Sequence, residues 1–167
     1  MGHISMDLEL SLLFDESIKL EENVADLYVM FQDTFPQDAG FWRELIIEER
    51  RHAALLENGK AHFAPTSTFP IGLLSTTLDE LRGANVNINK ISVRYREKPP
   101  SREEAFNAAL RIERSAGEIH YQKFMEKEAD THYIELFQKM NAYDKDHESR
   151  ILAYMERHGI QVSEIEN

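Results

Sequence analysis

The feature that most constrains this chain is a set of charged residues standing where apolar ones belong. Four stretches carry apolar residues at steps of three and four, the spacing of helices that bury one face. The first row reads Phe14, Ile18, Glu21, Ala25, Tyr28, with Phe31 and Phe35 beyond. The second reads Trp42, Leu45, Glu49, His52, Leu56, Gly59, Phe63. The third reads Phe106, Ala109 or Leu110, Glu113, Ala116 or Gly117, His120, Phe124, and the fourth Tyr133, Phe137, Met140, Asp144, His147, Ile151, Tyr154. Each row is interrupted near its middle by a carboxylate. On a helix, residues i and i+3 share a face. Glu49 therefore points with His52, and Asp144 with His147.

Punctuation divides the rows. The first helix opens at Asp7 or Asp15 and ends before Pro36, since proline disfavours helical geometry in the residue preceding it. Asp38 is the expected N-cap of the second, which closes before Pro65. Ser101 with Glu104 forms a capping box opening the third. The fourth covers 130–158 and stops at Gly159. Residues 64–100 form a crossover. Within it we expect a short helix over 71–82, stopped by Gly83, and an extended, strand-like piece over 91–96. A helix of ~25 residues is ~38 Å long, so a crossover of this length lets the second and third helices run parallel. The expected fold is all-α: one domain over 6–160, a four-helix bundle with a long crossover between helices two and three. Residues 1–5 read as a tag remnant, with Met6 as the native start.

Composition narrows the function. The 167 residues are 42% hydrophobic, enough for one domain with its own core. A net charge of −11 argues against a nucleic-acid or anionic-membrane partner. There is no cysteine, which removes disulfides, iron–sulfur clusters, cysteine-bound zinc and thiol nucleophiles. Any metal is held by imidazole and carboxylate, a donor set that suits iron, manganese or zinc. No apolar run approaches ~20 residues and no basic region precedes an apolar stretch at the N-terminus, so the expected location is cytoplasmic.

Four carboxylates on apolar rows (Glu21, Glu49, Glu113 and Asp144) are very costly to bury together without compensation. Two divalent cations cancel four negative charges and leave His52 and His147 neutral as ligands. That is the arrangement of di-metal carboxylate bundles.

The residues Leu20-Glu21-Glu22-x-x-Ala25-x-x-Tyr28, Glu48-Glu49-x-x-His52, Ile112-Glu113 and Asp144-x-x-His147 resemble those of rubrerythrin-type members of the ferritin-like superfamily. The resemblance covers the four helices and not the crossover. It implies two iron ions bridged by Glu49 and Glu113, with Glu21 and His52 on one iron and Asp144 and His147 on the other. It also implies reaction of the ferrous pair with O₂ or peroxide, an oxidoreductase activity fed by an electron donor the sequence does not name. Three departures stand out. Rubrerythrins proper carry a further glutamate one turn after the third-helix ligand, where this chain has Ala116 and Gly117. They carry a cysteine-ligated rubredoxin domain, and here there is no cysteine. The fourth-helix carboxylate is Asp144, one methylene shorter than the usual glutamate. These bear on peroxide reduction more than on metal binding.

Tyr28 reads as a core residue with a hydrogen bond, and His120 as a core histidine beside the ligands. A radical site at Tyr28 and a third ligand at His120 are the rarer alternatives. Glu48 shares its face with Glu44, Arg51 and Leu55 and is the weaker candidate for a ligand. Two other functions stay open: an iron-binding or storage protein, and a metal-free bundle whose polar residues pair internally, Glu49 with His147 for example. The expected assembly is a homodimer, the commonest small oligomer.

Overall fold

The computed structural model describes residues 6–63, 77–114, 135 and 147–163, and among these every regular element is helical. Helix α1 (Met6–Thr34) and helix α2 (Ala39–Phe63) are joined by one 3₁₀ turn, Pro36–Asp38. Helix α3 (Leu78–Glu97), helix α4 (Arg102–Glu113) and helix α5 (His147–Arg157) follow. No helix of the described residues is long and apolar enough to cross a membrane.

Side-chain pairings fix the helix directions. Tyr28 meets Trp42, Glu21 meets His52 and Asp15 meets Lys60, so α1 and α2 are antiparallel. Trp42 packs on Phe106 at 4.5 Å between ring centroids, and Glu49 and Glu113 both reach His147, so α2 and α4 run the same way. Tyr154 stacks on Phe41 and Phe106 while His147 reaches Glu48 and Glu113, so α5 runs against both. Parallel α2 and α4 require a return path, and α3 supplies it. Lying along α1 in the same direction, α3 sets Asn85 beside Glu16 and Tyr95 beside Phe31.

The core is aromatic at the end where α2 begins. Tyr28, Phe31, Trp42 and Phe106 are fully buried, and their rings lie 4.5–6.2 Å apart along the chain of contacts. Such tilted pairs add about 0.5–1.5 kcal/mol each beyond the area they bury. Helix α4 is enclosed on nearly all sides: Ala105 to Leu110 are buried without a break. Its capping box forms as the sequence predicts, Ser101 Oγ accepting from the Glu104 N–H at 3.1 Å and Glu104 Oε2 from the Ser101 N–H at 2.7 Å. The segment after α5 closes over it, because buried Asn107 donates to the Gln161 carbonyl (2.8 Å) and accepts from the Ser163 N–H (2.8 Å). That chain reversal turns at Gly159, whose φ of 65° favours glycine. Its N–H bonds to the Glu156 carbonyl and that of Ile160 to the Met155 carbonyl, the pairing of a Schellman cap.

Two expectations are corrected. The crossover is not a short helix stopped at Gly83 followed by a strand-like piece. A single helix runs from Leu78 to Glu97 through both, capped by Thr77 Oγ1 accepting from the Glu80 N–H at 3.2 Å. Its buried row is Leu81, Asn85, Ile88, Ser92, Tyr95, a regular helical spacing in which two of five residues are polar. Asn85 is satisfied by Asn23, which donates to its oxygen, and by Glu16, whose backbone carbonyl and carboxylate accept from its amide, all at 2.9 Å. Residues 64–76, including the start of the expected 71–82 helix, lie outside the described residues.

The second correction concerns Asp38. It is buried and serves as an ion-pair centre rather than a side-chain cap. Arg102 donates to both its oxygens (2.8 and 2.7 Å) and Tyr154 donates to one (2.9 Å). Burial alone would push this carboxyl up, but those hydrogen bonds and the guanidinium charge hold it below the usual carboxylate range.

Gly83 is solvent-facing, and a Cβ built there meets no atom within 4 Å. Gly83→Ala should therefore stabilise α3 by about 0.5–1 kcal/mol, raising the melting temperature by ~1–4 °C. Asp38→Ala should cost about 1–3 kcal/mol, because the Tyr154 hydroxyl and Arg102 lose their shared acceptor. Thermal and urea unfolding of the two variants measures both.

Candidate metal centre

Five of the six ligand residues picked from the sequence come together. Glu21 arrives from α1, Glu49 and His52 from α2, Glu113 from α4 and His147 from α5. All but Glu21 are buried, at 4% exposure or less, and the Glu21 side chain is 18% exposed. Glu49 and His52 sit between Leu45 and Leu56 on the inward stripe of α2, so core packing carries them inside. Asp144 and His120 lie outside the described residues, as do Ala116 and Gly117.

Glu49 is the hub. Its Oε2 lies 3.4 Å from His52 Nδ1, and its Oε1 lies 3.0 Å from His147 Nδ1. Glu21 approaches His52 Nδ1 at 3.6 Å, and Glu113 approaches His147 Nδ1 at 3.3 Å. The two imidazoles lie nearly parallel, 5.7 Å apart with 26° between planes. Two triads result, Glu21–Glu49–His52 and Glu49–Glu113–His147, each with its donor atoms within 4.8 Å of one another. The Tyr28 hydroxyl donates a short hydrogen bond to Glu113 Oε1, leaving Oε2 turned toward His147. Tyr28 is thus a core residue with a hydrogen bond to a member of the cluster.

Glu48, half-buried, stands at the edge of the cluster without belonging to either triad: its Oε2 lies 2.8 Å from His147 Nε2 and accepts from Arg150 Nη1. The sequence held a signal for this. Glu44 and Glu48 are four apart on α2, and His147 and Arg150 three apart on α5, so each helix presents a pair of matching charge. The match becomes visible only once α5 is known to run against α2.

The electrostatics follow from burying many carboxylates around few cations. Burial, with the charge of Glu49 nearby, pushes Glu21 up to about 8 against the opposing hydrogen bond of His52. Burial likewise raises Glu113, opposed by its hydrogen bond to His147. Glu49 goes the other way: burial works against its charge, but hydrogen bonds from His147 and His52 outweigh it and hold the carboxyl well below the usual range. His147 is raised because its contacts with Glu113, Glu48 and Glu49 overcome the burial that disfavours its charge. Without metal, then, protons take the place of cations. The donor set, carboxylate oxygen and imidazole nitrogen alone, fits borderline or hard dications.

Comparison of the chain with protein-family models, curated proteins and solved structures gave no match.

A pH dependence follows. Glu21 and Glu113 keep protons in the fold that the unfolded chain releases above about 4.5, so their contribution declines as pH rises from there, for Glu21 up to about 8. Raised His147 acts in the same sense above its ordinary 6.5. Lowered Glu48 and Glu49 contribute at higher pH and lose that contribution in acid. The chelator-treated protein should be most stable near pH ~5–6 and melt progressively earlier toward pH 8. With metal bound the slope from pH 6 to 8 should reverse, since cations need deprotonated ligands. Melting curves with chelator and with manganese(II) check this, and a flat profile in both would mean the cluster is not buried as described.

Proposed function

We propose that this chain is a ferritin-like four-helix bundle that holds two divalent cations, iron foremost, and works as an oxidoreductase on O₂ or peroxide. One observation carries the reading: a single buried carboxylate, Glu49, directs its two oxygens into two adjacent Glu/His triads. The arrangement of α1, α2, α4 and α5 around that carboxylate, with α3 returning the chain between the parallel α2 and α4, fits a bundle with one long crossover.

A ferrous pair, when bound, supplies the two electrons that reduce O₂ or peroxide. The chain's own part is to position and to exclude water. Glu49 lies between the two positions, Glu21 and His52 serve one side, and Glu113 and His147 the other. Asp144, by its spacing from His147, is assigned to that second side. Tyr28 fixes Glu113 through its hydroxyl and, with buried Phe31 and Trp42 behind it, closes the site from that end. No cysteine is present in the sequence, so reducing equivalents come from a donor other than a cysteine-ligated centre of this sequence.

The metal-free bundle also has an observation in its favour, because the Glu49–His147 contact at 3.0 Å is the internal pairing it requires. The charge balance favours the metal-bound reading. His147 faces two buried carboxylates, Glu49 and Glu113, with half-buried Glu48 beyond, and burial beside Glu49 raises Glu21 to about 8. A cation bound beside Glu21 would offset the burial that raises it.

Anaerobic reconstitution with ferrous iron should yield two ions per chain by elemental analysis. Glu49→Ala should abolish both, whereas Glu21→Ala or Glu113→Ala should remove one. Exposure of the loaded protein to air or peroxide should then produce ferric absorption within a single turnover. No bound iron in a folded wild-type protein would leave the metal-free bundle as the function.

A further inference from the structure

His147 can offer only one ring nitrogen to a cation, and what surrounds the other decides which. Its Nδ1 faces Glu49 Oε1 at 3.0 Å and Glu113 Oε2 at 3.3 Å. Its Nε2, on the far side of the ring, is held by Glu48 Oε2 at 2.8 Å. The two nitrogens of an imidazole point in widely divergent directions, so one ion cannot use both. Glu48 is itself held: Arg150 donates through Nη1 to the same oxygen, and through Nη2 to Glu44 at 3.3 Å. Arg150 sits one turn after His147 on α5, and Glu44 one turn before Glu48 on α2. The result is a four-residue clamp across the α2–α5 contact, with the His147 side chain fully buried and that of Glu48 14% exposed.

We propose that Glu48, braced by Arg150, is a positioning residue that fixes the tautomer and ring orientation of His147, and so builds the cation position formed by Glu49, Glu113 and His147. The inference rests on the two-cation reading above. Glu48 leaves the ligand count unchanged. With a cation bound, the Glu48 carboxylate would accept the Nε2 proton and leave the Nδ1 lone pair to the ion, on the side where Glu49 and Glu113 lie. A carboxylate partner of this kind also makes the ring a more basic ligand, and loss of such a partner typically lowers metal affinity about 10–100-fold. Because Arg150 neutralises Glu48, the brace adds no net charge to the cavity. The Glu21–Glu49–His52 position has no share in the clamp, so the effect should fall on one ion of the two.

The test is titration with cobalt(II), followed by calorimetry and by the visible ligand-field bands, on the wild-type protein and on Glu48→Leu, Glu48→Gln and Arg150→Met. The wild type should bind two ions. Glu48→Leu should keep one of them and weaken the other about 10–100-fold, while Glu48→Gln, which retains an acceptor for the Nε2 proton, should stay near wild type. Arg150→Met, at a partly exposed site, should fall between the two and serves if Glu48→Leu does not fold. Nitrogen-15 spectra of the histidine rings should show His147 locked as the Nε2–H tautomer in the loaded wild type and exchanging between tautomers in Glu48→Leu. Two ions bound with unchanged affinity in both Glu48→Leu and Arg150→Met would overturn the role of Glu48 and leave the two-cation reading standing. Failure of the wild type to bind cobalt(II) would overturn that reading and this inference together. Equal weakening of both ions in the variants would assign Glu48 to general stability and refute the positioning role.

Discussion

Everything in the described structure is arranged around one buried carboxylate. Glu49 is 2% exposed, and a charge at that depth is tolerated only with partners on every side. Its two oxygens find them in two imidazoles from two helices. Those imidazoles draw in Glu21, Glu113 and Glu48, and beyond Glu48 the chain of compensation runs out to Arg150 and Glu44. A wholly apolar centre would be simpler and no less stable on general grounds.

The helices hold that centre because their own ends and outer faces are fastened independently of it. Asp38, Arg102 and Tyr154 tie the α1–α2 turn to α4 and α5, and Asn107 ties the segment after α5 back to α4. The aromatic group of Tyr28, Phe31, Trp42 and Phe106 fills the core between that tie and the carboxylate cluster. Helix α3 stays outside, laid on α1 through a buried asparagine. The cluster thus sits within a framework fastened independently of it, and protons on Glu21, Glu113 and His147 offset its charge.

Much of this was legible in one dimension. Long helices, the capping box at Ser101, the stop at Gly159 and the inward rows of α1, α2, α4 and α5 follow from local periodicity and local backbone chemistry. So does the membership of Glu21, Glu49, His52, Glu113 and His147 in one cluster, since a charge within an apolar stripe has to go where the stripe goes. The crossover misled for an equally local reason. Asn85 and Ser92 stand on its buried row, and Gly83 interrupts its outer face, so neither periodicity nor punctuation announces a helix of 20 residues. Its polar row is stable only because Glu16 and Asn23 on α1 supply hydrogen bonds.

The sequence by itself determined which side chains would be buried together, because helical period and hydrophobicity are properties of each segment alone. Tertiary structure decided how those side chains divide the work. Glu48 and Glu49 are neighbours of identical chemistry, and no local rule distinguishes a hub from a brace. The distinction arises from a separate helix: α5 crosses α2 antiparallel, so that one imidazole falls between the two carboxylates, Nδ1 toward Glu49 and Nε2 toward Glu48. Likewise α4 and α5, packed against the α1–α2 turn, make Asp38 the anchor of Arg102 and Tyr154 rather than a side-chain cap. Partners far apart in sequence set the role of an ionisable group, because its charge is stabilised by whatever lies within a few ångströms of it in space.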